Sequence, residues 1–112
     1  MELLELYRTE MNGRVAGVRA AIAALPPVGV LVDDPYVTFY EVYLHAHTVK
    51  GTSLQLQFAE AAAVGERMVE LLRPAQEHGR LDQPARDRIL TWCNTLADWL
   101  ASPDLAVPPA AT

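Results

Sequence analysis

Apolar residues recur at intervals of three and four along almost the whole chain, interrupted by proline or glycine at widely spaced points. That spacing is one face of a 3.6-residue helical turn, so the chain must fold as amphipathic helices, each burying one stripe. In the first stretch, 2–25, the stripe is Leu4, Tyr7, Met11, Val15, Val18, Ile22 and Leu25. Gly13 and Gly17 cost it up to about 1 kcal/mol each against alanine, but small residues also let another helix approach closely. Pro26 and Pro27 end it, because proline restricts the residue before it and removes a backbone donor.

Residues 28–34 are a connector. Val28, Val30 and Val32 would suit a short strand, but a single strand without a partner is unstable, so an apolar loop is expected. Asp34 before Pro35 is a helix start, with the carboxylate as N-cap and proline in the first turn. The second helix is expected over about 35–58, with Phe39, Val42, Ala46, Val49, Ser53 and Leu56 inward. The third covers about 59–76, with Ala61, Val64, Met68, Leu71, Leu72 and Ala75 inward, and Gly79 closes it as a C-terminal cap. Asp82 and Pro84 open a fourth helix, over about 84–101, that buries Ile89, Cys93, Leu96 and Leu100. Trp92 and Trp99 share one flank as core or groove filler. Long amphipathic helices joined by short connections predict an all-α fold, an antiparallel (up-down) four-helix bundle over 1–102. Residues 103–112, rich in proline and alanine, read as a flexible tail or linker.

The composition narrows the function. The formal charge is −5 with acidic residues spread along the chain, which argues against a nucleic-acid surface built from clustered Lys and Arg. Cys93 is the only cysteine; it supports neither a disulfide framework nor a cysteine zinc site, and its helical phase makes it an inert core thiol. The opening residues are acidic where a secretory signal is basic. The longest uncharged run, 20–32, is too short to span a bilayer and contains two prolines. A cytoplasmic protein, a monomer with no membrane partner, is expected.

The chemistry concentrates in 45–53. Lys50 is the only lysine among nine Lys and Arg residues. It stands three positions after His47, and Gly51 four after, so all three share one helix face. His47 lies about 100° round from the middle of the buried stripe, at its edge or just outside. Around it fall Tyr40, Tyr43, Leu44 and Leu54, a largely apolar second face suited to a partner. His45 points to the opposite side, where a structural role is expected. Residues two apart on a helix do not face each other, so His45 and His47 make a poor metal site. No glycine-rich phosphate loop and no acidic metal cluster is present.

The run Ala46-His47-Thr48-Val49-Lys50-Gly51 resembles the histidine-containing phosphotransfer (HPt) domain, whose pattern is His-x-x-Lys-Gly on the second helix of a bundle. It is most similar to the N-terminal phosphotransfer domain of chemotaxis-type histidine kinases. Phe58, eleven residues after His47, fits that subgroup, as do the opening Leu6-Tyr7-Arg8-Thr9-Glu10 and Gly79-Arg80-Leu81. The likeness spans about 3–101. It implies that His47 carries a phosphoryl group on Nε2, that Lys50 neutralises it, and that Gly51 leaves room for a receiver aspartate. It also implies an acidic or histidine residue of the following helix near the ring, with Glu66 or Glu70 as the counterpart here. The partners would be a histidine kinase catalytic domain and a response-regulator receiver domain, which bring the ATP and Mg²⁺. The domain itself would bind no cofactor and have no kinase activity alone. The chain departs from the family at Thr52, Ser53, Leu54 and Gln57, where smaller residues are usual. A non-catalytic HPt-like interaction module is the main alternative. A haem-binding bundle would need histidines aimed into the core, and a self-sufficient enzyme would need paired carboxylates or a nucleophile–base constellation.

Overall fold

Aspartate and proline set two of the helix starts. In the computed structural model, which describes residues 2–105 and 109, the Asp34 carboxylate accepts from the Val37 N–H at 3.3 Å and the Asp82 carboxylate from the Ala85 N–H at 2.9 Å. Each satisfies a backbone donor that the first helical turn leaves unpaired. The helices are α1 (Leu3–Ala23), α2 (Pro35–Thr38), α3 (Tyr40–Gln55), α4 (Ala59–His78) and α5 (Gln83–Ala101). The described residues contain no strand, and 28–34 is a loop. Gly79 stops α4 in the left-handed conformation at φ 77°, its N–H bonded to the Ala75 carbonyl at 2.8 Å.

The expected helix over 35–58 is shorter and broken. At Phe39 the torsions move to φ −98° and ψ 4°, the sparsely populated bridge region. Helical hydrogen bonds still cross the break, from the Phe39 N–H to the Pro35 carbonyl at 3.0 Å and from the Tyr43 N–H to the Phe39 carbonyl at 3.1 Å. The break coincides with complete burial of the Phe39 ring. At the other end Gln57 takes φ 65°. The Phe58 N–H reaches the Ser53 carbonyl at 2.8 Å and the Gln57 N–H the Leu54 carbonyl at 3.1 Å. Those two bonds form a Schellman cap, so α3 ends at Gln55 and the chain turns directly into α4.

The stripes meet as the periodicity requires. α1 packs on α3 and α5, α4 packs on the same two helices, and α2 lies against α3 and α4. Tyr7, Met11, Val15, Val18, Phe39, Val42, Ala46, Val49, Met68, Leu72, Ile89, Leu96 and Leu100 form one core. Leu4, expected inside, is 43% exposed on the first turn of α1, while Leu25, Leu56 and Leu71 are partly buried against the core. The radius of gyration is 14.0 Å, compact for a chain of this length.

Two devices close the ends. The Arg8 guanidinium donates to the Leu100 carbonyl and, at 2.9 Å, to the Ser102 carbonyl, so α1 supplies partners for the last turn of α5. Tyr7, Phe58 and Trp99 form an aromatic cluster, with centroids 4.7 Å apart for Tyr7–Phe58 and 5.4 Å for Phe58–Trp99. Leu105 and Pro109, within the expected tail, are buried; 106–108 and 110–112 lie outside the described residues. Cys93 is fully buried, and burial pushes its thiol pKa up to about 11.

Candidate functional site

The site is built at the seam between α3 and α4, and Gly65 sets how close that seam is. A Cβ placed on Gly65 would lie 2.6 Å from the Lys50 backbone nitrogen and 3.1 Å from the Ala46 carbonyl oxygen. Only a residue without a side chain lets the two backbones meet there. Ala61, Ala62 and Gly65 together give α4 a small-residue surface. That run was the signal in the sequence for this close approach.

Glu66 follows Gly65, so the narrow seam delivers its carboxylate to Lys50. Lys50 Nζ is 2.5 Å from Glu66 Oε2, with both side chains about one-third exposed at 33% and 29%. Arg73, further along α4, stands 3.9 Å from the other oxygen, Oε1. Oε2 is sequestered from solvent, and Lys50 is in close ion-pair contact with it. Lys50 is the main reason that the Glu66 carboxyl is held below the usual carboxylate range, opposed by partial burial and helped by the charges of Arg73 and His47. Glu70 is exposed, and Glu66 is the carboxylate that joins the cluster.

His47 is exposed on α3. Its ring stacks on Tyr43 one turn earlier, with centroids 5.6 Å apart and planes 9° from parallel. The distance is that of an offset aromatic stack, which orients the imidazole without burying it. Gly51 is open: a Cβ there would meet nothing within 4 Å. Tyr40 is 54%, Leu44 37% and Leu54 60% exposed, while Tyr43 is partly buried. Tyr36 and Val37, at 63% and 72%, are similarly exposed on the short α2.

The other histidines do different work. His45 is half-buried; its Nδ1 lies 3.2 Å from the Arg14 guanidinium of α1, and its ring occupies the space a side chain on Gly17 would need. Gly17 is thus the notch that receives His45. His78, at the end of α4, is 3.8 Å from the Glu77 carboxylate.

Ser53, one turn beyond Val49 on the core side, is completely buried and paired with Tyr7, the hydroxyl oxygens 2.7 Å apart. Burial raises the Tyr7 pKa, with the Ser53 hydrogen bond opposing it. A cavity of about 210 Å³ opens at the α3–α4 turn, lined by Gln57, Phe58, Glu60, Trp99 and Leu105 among others. None of the His47 cluster lines it.

Among the described residues no three His, Cys, Asp or Glu side chains are grouped to hold a metal ion, and no helix is long and apolar enough to cross a membrane. Comparison with protein-family models, with curated proteins and with solved structures finds no match for this chain.

Proposed function

We propose that the chain is a histidine phosphotransfer domain, an antiparallel four-helix bundle of α1, α3, α4 and α5 that accepts a phosphoryl group on His47 and passes it to a receiver-domain aspartate. The observation that carries this reading is an exposed imidazole stacked on Tyr43, sharing its helix face with a lysine one turn on and a glycine beside it that leaves the surface open. A neutral imidazole is a competent nucleophile near neutral pH. Its lone pair forms the N–P bond as the donor's bond to phosphorus breaks, the electron pair leaving with the donor group. Lys50 offers a positive charge to the arriving phosphoryl oxygens. Transfer of this kind depends on positioning and charge more than on covalent work by the protein. The kinase and receiver partners, with their ATP and Mg²⁺, belong to the same proposal, as does a cytoplasmic setting.

Gln57, ten positions after His47, departs from the small residue of the HPt pattern, and its left-handed backbone is one that glycine would adopt without strain.

The decisive experiment incubates the protein with a panel of histidine kinases and phosphorylated receivers, alongside His47→Gln. Label on the wild type that is acid-labile, base-stable and missing from the variant establishes the function; no label from any donor refutes it. A second reading, an HPt-like interaction module without phosphotransfer, draws on the exposed Tyr36, Val37, Tyr40, Leu44 and Leu54. Partner binding that is indifferent to His47→Gln would favour it.

A further inference from the structure

We propose that Glu66 is a positioning carboxylate that holds Lys50 while His47 is unmodified and releases it to the phosphoryl group, with Arg73 then taking Glu66. The proposal rests on His47 being the phosphorylated residue and concerns how its cation is controlled.

Lys50 is the chain's only lysine, and its ammonium is already engaged by Glu66 Oε2 across the helix seam. An anionic phosphodonor arriving at His47 therefore meets a neutralised cation beside a carboxylate, not a free ammonium. The engagement is exchangeable: both side chains are about one-third exposed. A lysine ammonium is a mobile point charge on a flexible stem, and a phosphoryl group offers it more negative charge and more acceptor oxygens than one carboxylate. Once Lys50 moves, Glu66 would be left unpaired beside a new anion, which costs free energy. Arg73 supplies the remedy. Its guanidinium is already 3.9 Å from Oε1 on the same carboxylate and is 57% exposed, so it can close the remaining distance without repacking the core. Three charges thus exchange partners around one carboxylate, driven by the charge arriving at His47.

Potassium phosphoramidate tests this without any partner protein. The His47 lone pair attacks phosphorus, the N–P bond of the reagent breaks, ammonia leaves with the bonding pair, and the proton on Nδ1 stays on the imidazole. Phosphorus-31 NMR follows the product, and His47→Gln shows whether the signal belongs to His47. Glu66→Gln frees Lys50 and should speed labelling about threefold, while Arg73→Ala leaves Glu66 holding Lys50 more firmly and should slow it about twofold, changes of the size that partly exposed ion pairs produce. Lys50→Ala should slow labelling and abolish the effect of Glu66→Gln when the two are combined, because the carboxylate acts through the lysine. Wild-type rates in both Glu66→Gln and Arg73→Ala overturn the exchange while leaving His47 as the acceptor. An acceleration by Glu66→Gln that persists without Lys50 also overturns it, since simple repulsion would then suffice. Absence of label on wild-type His47 removes the exchange together with the reading beneath it.

Discussion

The Gly65 backbone faces the Lys50 backbone so closely that a single added carbon would lie 2.6 Å from the lysine nitrogen. No flexible side-chain tip is there to yield, so Gly65→Ala must push α3 and α4 apart. Despite alanine's better helix propensity, the substitution should destabilise the fold by about 1–3 kcal/mol, the usual cost of overpacking. Gly13→Ala is the control, because a Cβ there meets nothing within 4 Å and the helix should gain up to about 1 kcal/mol. Urea unfolding of the two variants checks both signs, and a stable Gly65→Ala would show that the seam is not tight.

Tyr7 and Ser53 make the buried polar contact that ties α1 to α3, their hydroxyls 2.7 Å apart. Tyr7→Phe leaves the Ser53 hydroxyl with only a 3.9 Å approach to the Met11 sulfur. It should cost about 1–2 kcal/mol, and Ser53→Ala a similar amount, since each strands a buried polar group. The double variant strands neither and should cost less than the sum. An additive double-mutant cycle by denaturant unfolding would show that the two hydroxyls are not coupled.

Gln57 carries a left-handed backbone at φ 65°, a conformation that costs a residue with a Cβ roughly 1–2 kcal/mol. Gln57→Gly should recover part of that, offset by the greater freedom of glycine in the unfolded chain, for a net gain below about 1 kcal/mol. Thermal melts read the sign directly, and a loss would mean that the Gln57 side chain contributes more at the turn than the strain removes.

What the sequence disclosed follows from how locally each feature is encoded. Tyr7, Met11, Val15 and Val18 lie on one helix face wherever that helix goes, so their burial could be read from spacing alone. Asp34, Asp82 and Gly79 act on backbone groups a few residues away, and their caps were legible for the same reason. His47 could be placed on the surface by phase. The break at Phe39 and the stop at Gln55 were not legible: both lie beside rings, Phe39 and Phe58, that pack against other helices, and Gln57 carries no turn signal. The Lys50–Glu66 pair needed the relative register of two helices. A search for Gly65-like small-residue runs would have narrowed that register, but periodicity alone leaves Glu66 and Glu70 equally placed.

Acid should weaken the Glu66 contact in a defined direction. The folded-state pKa of Glu66 lies below its ordinary value, chiefly because of Lys50. The stability that the pair contributes is therefore fully present above the ordinary carboxylate range, near pH 4.3, and is lost as pH falls through the lowered folded value. Glu66→Gln cannot titrate, so the stability difference between wild type and variant should shrink through that acid window. Urea midpoints at a series of pH values measure it. A difference that stays constant on acidification would mean that Glu66 is not paired in solution.

Gly51 separates fold from function most cleanly. It lies within α3, where alanine is the better helix former by up to about 1 kcal/mol, and a Cβ there touches nothing within 4 Å. Gly51→Ala should therefore raise the unfolding midpoint. If a receiver domain approaches His47 across this bare stretch of backbone, the same methyl group stands in its path, and transfer to the receiver should slow while labelling of His47 by phosphoramidate, a small donor, stays near the wild-type rate. A more stable protein that transfers more slowly to its partner is the signature of an open docking face. Equal transfer rates in the stabilised variant would place the approach elsewhere on the helix, toward the exposed Tyr40 and Leu44 on the other side of His47.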